Sequence, residues 1–315
     1  MINILFTDTH FGVKQNSITW LNSQCDFIYN QFIPYIKRLG ANNKIRLIHL
    51  GDVFDSRSSI SVLVATKIVE MFKELSDIVD EFIIIGGNHD YYSPNIDSID
   101  TLNLLLQDTN IKLITKDIYI ENEDLFVPWY KWKDQEYLQN IINEHHIKNV
   151  FTHADIVTEK VNIKNVNIYS GHIHMPYIKK HIRNLGSCYA LNFADANSPR
   201  GFYVLNDKLT FVENETSIKF HRLYNEDIFK DLKINQNDYV EIYINQLNLS
   251  NIKYTTQLSL LAKAYKNLWI IPQINSTISL QDFKFDNYDM DSIIKDMIPD
   301  ELKSKFALIL NQLNG

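Results

Sequence analysis

Five times before Met175 a short apolar run, about the length of one buried strand, breaks off into a polar segment carrying Asp, Asn or His. The runs cover residues 2–6, 45–50, 82–85, 149–151 and 166–169. The segments that follow are Asp8-Thr9-His10, Gly51-Asp52-Val53-Phe54-Asp55, Gly87-Asn88-His89-Asp90, His153, and Gly171-His172-Ile173-His174. Short apolar runs ending in polar or Gly-rich punctuation read as strands of an α/β fold. In such sheets the loops beyond the carboxyl ends of the strands line the ligand crevice, so five of these loops can converge on one site. Gly51, Gly86, Gly87 and Gly171 suit the tight turns and close approaches this requires.

The residue types in those loops define a chemistry. Carboxylates, imidazoles and one amide oxygen suit Mn, Fe or Zn as mobile catalytic ions, and thiols play no part. If Asp52 bridges two divalent ions about 3.5 to 4 Å apart, a phosphate is polarised from both sides and water is activated at neutral pH. Two dications set against Asp8, Asp52 and a hydroxide leave a positive surplus that favours an anionic ester, and the neutral Asn88 preserves it. Each segment alone is weak, since Asp-x-His and Gly-Asn-His-Asp also occur as ordinary turns; together they point to hydrolysis of a phosphate ester. The other histidines carry no such weight. His49 alternates with Ile45 and Leu47 and reads as core, His145 and His146 sit in a polar stretch, and His181 and His221 read as surface positions.

The order and wording of these segments resemble the calcineurin-like metallophosphoesterases over roughly the first two thirds of the chain. Asp8-Thr9-His10-Phe11-Gly12-Val13-Lys14, Gly51-Asp52-Val53-Phe54-Asp55-Ser56-Arg57 and Ser198-Pro199-Arg200-Gly201-Phe202 are similar to the DNA repair and recombination branch, including phage recombination endonuclease subunits and SbcD-type nucleases. The resemblance implies a β-sandwich flanked by helices, with the metal site on loops after strands. It also implies one ion held by Asp8, His10, Asp52 and His174, and a second by Asp52, Asn88, His153 and His172, with Mn²⁺ as the first expectation. By the same resemblance His89 is the general acid that protonates the departing sugar oxygen, with Asp90 orienting it. Asp55 would support a ligating histidine from behind, although a turn-capping role is nearly as good a reading. Arg57 and Lys14 are the basic groups nearest these motifs and the expected contacts to substrate. His153, in Phe151-Thr152-His153-Ala154-Asp155, belongs to no longer motif and is placed by order alone.

With 315 residues and 45% hydrophobic content the chain can bury a sizeable core and a smaller appendage. Two cysteines, Cys25 and Cys188, argue for a reducing, cytoplasmic compartment without disulfides. No signal-like start and no stretch of about 18 apolar residues is present, so neither secretion nor membrane spanning is expected. The net charge of −7 runs against a nucleic-acid binder, which usually carries a basic footprint. Basic groups remain at Lys131, Lys133, Lys179, Lys180 and Arg183. The mixture of Trp129, Tyr130 and Trp132 with Lys131 and Lys133 reads either as a stacking surface or as the edge of a core, and the core is the preferred reading.

Three further expectations concern organisation. Leu21, Cys25, Ile28, Phe32, Ile36 and Leu39 recur at helical spacing up to Gly40; the stripe packs on the sheet or, as the nuclease resemblance implies, pairs two subunits in a homodimer. Past residue 222 the motifs stop, and strand, helix and strand patterns at 239–244, around Leu258, Leu261 and Tyr265, and at 268–274 describe a small appended α/β module over 223–285, which the resemblance implies is a capping domain. The segment 286–315 offers apolar helical stripes through Ile293, Ile294, Met297, Leu302, Phe306, Ile309, Leu310 and Leu313, leaving 1–222 as the nuclease domain. The resemblance implies that this tail docks on an SMC-like ATPase, and the chain has no Walker-type loop of its own. A phosphatase, a cyclic-nucleotide phosphodiesterase, and a scaffold subunit with a decayed site are the alternatives to a DNA nuclease.

Overall fold

In the computed structural model, residues 1–93, 96–230 and 233–273 are described; the expected C-terminal stripes at 286–315 lie outside them. Two six-stranded sheets carry the fold. The first runs, in spatial order, Leu209–Glu213, Gly201–Leu205, Ile2–Phe6, Ile45–His49, Glu81–Ile85 and Lys112–Ile114. Its last four strands are parallel, and Gly201–Leu205 is antiparallel to Ile2–Phe6. The second runs Tyr177–Lys179, Ile182–Asn184, Asn167–Gly171, Asn149–His153, Asp124–Val127 and Tyr119–Glu121, parallel in its middle four and antiparallel at both edges.

Continuous apolar runs suit these central strands because both of their faces are buried. Leu5, Ile48, Ile83 and Ile85 point between the sheets toward Phe126, Phe151 and Tyr169. The alternate residues Ile4, Phe6, Leu47, Phe82 and Ile84 face helices on the outer side. Leu125, Val127, Val150 and Ile168 do the same on the far side of the second sheet, against Leu138 and Ile142 of the helix Gln135–Glu144. The result is helix, sheet, sheet, helix, the flanked sandwich that the sequence resemblance implied. Inside it Phe126, Phe151 and Tyr169 stack with centroids 5.2 Å apart at each step.

The stripe ending at Gly40 forms a helix in three pieces: α-helical Ile18–Phe27, a π-helical turn Ile28–Phe32, and α-helical Ile33–Gly40. Leu21, Ile28, Phe32 and Ile36 are buried in the core of the chain itself. The stripe is therefore used for packing on the sheet and is not available to pair two copies.

A three-stranded sheet of Phe220–Tyr224, Tyr239–Asn245 and Asn267–Gln273, with the helix Ile252–Ala264, forms the appended module. It has its own core of Leu223, Ile228, Val240, Ile242, Ile244, Tyr254, Leu258 and Leu261. Residue 222 falls inside its first strand, which pairs in parallel with Tyr239–Asn245. Trp132 is buried beside the second sheet, as the core reading of that aromatic segment expects, while Lys131 pairs with Asp117 at 3.0 Å and the Lys133 Nζ lies 5.4 Å from the Trp129 ring. Among the described residues no helix is long and apolar enough to cross a membrane.

Candidate metal centre

Parallel strands in both sheets deliver their carboxyl ends to one edge of the sandwich, and the five polar segments meet there. Three groups of side chains bring ligand atoms within 4.8 Å of one another: Asp8, His10 and His174; His10, Asp52 and His89; and Asp52, His153 and His172. His153 occupies the last position of its strand rather than the loop beyond it. Asp8, His10, Asp52 and His172 all adopt positive φ, a conformation that side-chain-bearing residues visit rarely and that clusters at functional sites. Gly51 relieves a tight point, because with φ at 102° an added Cβ would lie 2.6 Å from His153 Nδ1.

Backbone partners aim the donors. The carbonyl of Leu50 accepts from His153 Nδ1 at 2.8 Å. A carbonyl can only accept, so Nδ1 carries a hydrogen and Nε2 is the nitrogen left to meet an ion. That Nε2 stands 3.3 Å from Asp52 Oδ2 and 3.0 Å from Asn88 Oδ1, and His172 Nδ1 is 2.8 Å from the same amide oxygen. On the other side of Asp52, its Oδ2 lies 3.7 Å from His10 Nε2, which is 3.1 Å from His174 Nε2 and 3.8 Å from Asp8 Oδ1. Asp8 in turn accepts from Thr7 Oγ1 at 2.7 Å and from the His172 backbone N–H at 3.2 Å, which ties the first sheet to the second across the site.

These separations test whether cations fit. Ligands at about 2.1 Å from one ion, spread at tetrahedral or octahedral angles, stand roughly 3.0 to 3.4 Å from each other. Donor atoms here crowd together at comparable distances, with ring nitrogens facing a ring nitrogen or an amide oxygen. Asp52 Oδ2 is common to both halves. Two buried carboxylates, four imidazoles and the Asn88 amide fit two divalent ions.

Charge supports the same reading. Burial works against the Asp8 carboxylate, but His10, His153 and His174 outweigh it and bring the group down to about 2. Asp52, equally buried, is held well below the usual range by His153, His10 and His89. Burial likewise opposes protonated His10 and His153, yet Asp55, Asp8 and Asp52 raise His10 to about 10, and Asp52 and Asp8 raise His153 to about 9. Concentrated negative potential therefore draws positive charge into the site. His172 and His174 are lowered, chiefly by burial.

The supporting residues differ in part from expectation. Asp90 does not lie against the His89 ring. It accepts from the backbone N–H groups of Asp52 at 2.9 Å, Val53 at 3.0 Å and Gly87 at 2.8 Å, so it pins the Asp52 loop to the Asn88 loop. Burial and the nearby Asp52 push it up to about 7. The His89 ring is fixed by the Asp55 backbone carbonyl, 2.6 Å from Nδ1, while the His89 backbone N–H donates to Asp52 Oδ1 at 2.8 Å. The Asp55 carboxylate stands behind His10, 3.5 Å from Nδ1. Lys14 is exposed, its Nζ 6.0 Å from the Trp20 ring, and Arg57 is half-buried two residues beyond Asp55.

His49 is in the core as expected, but it also holds the site, with Nε2 2.9 Å from Thr9 Oγ1 and Nδ1 accepting from the Gly51 N–H at 3.1 Å. Burial lowers it to about 3 and keeps it neutral, as accepting that bond requires. Gln24 was missed: its Nε2 donates to the Thr9 carbonyl and to the Tyr189 hydroxyl, both at 2.9 Å, beneath the Asp8-Thr9-His10 turn. A polar residue on the buried stripe, one position before Cys25, was the available signal.

A calcineurin-like phosphoesterase family profile matches residues 4–176, more than half of the chain and a span that contains every donor named above. The chain belongs to this family. Its members are hydrolytic phosphoesterases that use divalent metals, which agrees with the donor set found here. Exonuclease subunit 1 of Enterobacteria phage T4 is similar to the chain at 24% identity over 306 residues, covering 87% of this chain and 85% of that protein. Among solved structures, the nuclease MPE of Pseudomonas putida matches 57% of this chain and 66% of its own at 14% identity, with a TM-score of 0.31. That likeness is too slight for the fold or the site to rest on it.

Proposed function

We propose that the chain is a metal-dependent DNA nuclease, the nuclease subunit of an ATPase–nuclease complex in recombination or double-strand-break repair, working in the cytoplasm with Mn²⁺. The observation that carries this is the reach of the similarity to the phage exonuclease subunit: it extends over 87% of the chain, well past the family match that stops at residue 176. The appended module is therefore shared with a protein named as an exonuclease and as a subunit.

Asp8, His10, Asp52 and His174 would hold one ion, and Asp52, Asn88, His153 and His172 the other. Bound there, the ions supply Lewis-acid polarisation of the phosphate and an activated water at neutral pH. The chain's own residues do the rest. Asp55 keeps one hydrogen on His89 Nδ1 through its carbonyl, so in the doubly protonated ring the second sits on Nε2 and passes to the departing sugar oxygen. Asp90 fixes the Asp52 and Asn88 loops so that the shared carboxylate and the amide keep their spacing. Arg57 and Lys14 contact the phosphodiester backbone. Residues 286–315 dock on the ATPase.

The test is incubation of the purified protein with Mn²⁺ and linear duplex, single-stranded DNA, a cyclic nucleotide and a phosphomonoester, beside His89→Ala. Cleavage of DNA by the wild type, with His89→Ala inactive but still loaded with metal, is the expected result. Hydrolysis of the small esters alone would overturn the nuclease reading. Deletion of residues 300–315 is expected to abolish ATPase binding and leave nuclease activity intact; unchanged complex formation would remove the docking role.

A further inference from the structure

His174 is one of the more exposed members of the candidate metal centre. Its side chain is 29% exposed, against 0 to 3% for Asp8, His10, Asp52 and His153, and it lies three residues past the end of its strand. What holds it acts on its backbone. Asn184 Nδ2, fully buried, donates to the carbonyls on either side, Ile173 at 2.6 Å and Met175 at 2.8 Å. The His174 carbonyl itself accepts from the Ser187 N–H at 3.1 Å and from Arg200 Nη1. The chain runs hard against that oxygen at Gly186, where φ is 74° and an added Cβ would approach it to 2.6 Å.

Arg200 is an unusual residue to find there. Its side chain is 4% exposed, and Nε has no hydrogen-bond partner among the described residues. Burying a guanidinium is costly, and an apolar residue of similar volume would fill the same space more cheaply. The group is nevertheless anchored: Nη2 donates to Asp195 Oδ1 at 2.7 Å and to Met175 Sδ at 3.2 Å. The other Asp195 oxygen accepts from the Leu191 N–H at 2.8 Å in a capped turn, so the anchor is itself fixed.

We infer that Arg200 is a positioning residue for the His174 half of the metal centre: it grips the His174 carbonyl and thereby sets where the imidazole stands opposite His10. The inference rests on His174 being a ligand, as proposed above. It gives a physical role to the Ser198-Pro199-Arg200-Gly201 segment, which otherwise touches no donor atom of the site.

The experiment is equilibrium titration of metal-free full-length protein with Mn²⁺, reading free ion by electron paramagnetic resonance. Wild type is expected to bind two ions. Arg200→Met, which keeps the volume and loses all three hydrogen bonds, is expected to weaken one ion at least tenfold and leave the other unchanged. Arg200→Lys, whose single ammonium cannot span all three partners, falls between. Arg183→Met serves as the control, since Arg183 lies over Tyr169 and bonds Asn167 and the His181 carbonyl. A wild type that fails to bind two ions defeats the ligand assignment itself. Two unchanged affinities in Arg200→Met overturn the positioning role, whether or not its urea midpoint falls. If Arg200→Met does not fold, Arg200→Lys and Asp195→Asn decide in the same way, and normal affinities in both overturn the inference.

Discussion

At the residue scale the site separates atoms that meet the ions from atoms that aim them, and the two kinds should respond differently to substitution. His89→Asn should lower the rate on DNA by roughly 10² to 10⁴, the usual worth of a general acid, with the Mn²⁺ stoichiometry unchanged. Loss of an ion in that variant would make His89 a ligand. A second prediction concerns pH. His10 and His153 sit above their unfolded value of 6.5, at about 10 and about 9, so the stability they contribute is complete below 6.5 and is lost as pH rises through 9 to 10. Metal-free protein should therefore lose thermal stability between pH 7 and pH 10. Asp90, raised to about 7, has finished its own loss by the start of that window. Binding an ion displaces the histidine protons, so the gain in melting temperature from Mn²⁺ should be larger at pH 8 than at pH 6. A flat or rising metal-free profile in differential scanning calorimetry would show that these histidines are neutral in the ion-free protein. The sequence gives the donors because Asp, Asn and His after strands are chemically distinctive. It does not tell the role of Asp90 from that of Asp55, because both are carboxylates that close a donor segment and only the fold decides which groups each one meets.

Elements were legible where both faces of a strand are buried, since a continuous apolar run has few other uses. The runs before Asp8, Asp52, Asn88, His153 and His172 fall on strands to within one or two residues. Edge strands such as Leu209–Glu213, whose side chains are all partly or fully exposed, left no comparable mark. The pin between the sheets was also hidden. Arg46, on a central strand of the first sheet, is almost fully buried and pairs with Glu121 at 3.1 Å and with Asp124 on the second sheet. Its guanidinium lies 5.5 Å from the Phe126 ring, at the start of the aromatic stack. Removing one partner of a buried pair leaves the others uncompensated and costs about 3 to 5 kcal/mol. Arg46→Leu is expected to lose stability of that order in urea unfolding while still binding two Mn²⁺ ions. A loss under about 1 kcal/mol would mean that the pair breaks even against an apolar side chain.

Across the whole molecule, the module beginning at Phe220 is joined to the phosphoesterase core by aromatic packing. Tyr239 stacks on Phe220 with centroids 4.8 Å apart and lies 6.1 Å from Trp20, while Trp269 stands 5.9 Å from both Tyr239 and Phe193. If the module presents DNA to the site, Tyr239→Ala should reduce duplex cleavage several-fold and leave hydrolysis of a small aryl phosphodiester unchanged. Equal loss on both substrates would mean that the module only stabilises the core. The net charge of −7 is tolerable on this view because the ions, not a basic surface, supply attraction at the point of cleavage. What the sequence determined by itself is the chemistry: residue types, their order and the strands before them are local properties, and metal ligation tolerates few substitutes. Tertiary structure alone decided how those residues are held. Arg200 and Asp195 behind His174, Asp90 beneath Asp52, Gln24 beneath Asp8-Thr9-His10 and the self-buried stripe before Gly40 all depend on contacts between distant parts of the chain. Such contacts leave no spacing to read, because a buried polar side chain finds its partner through the packing of layers and not along the backbone.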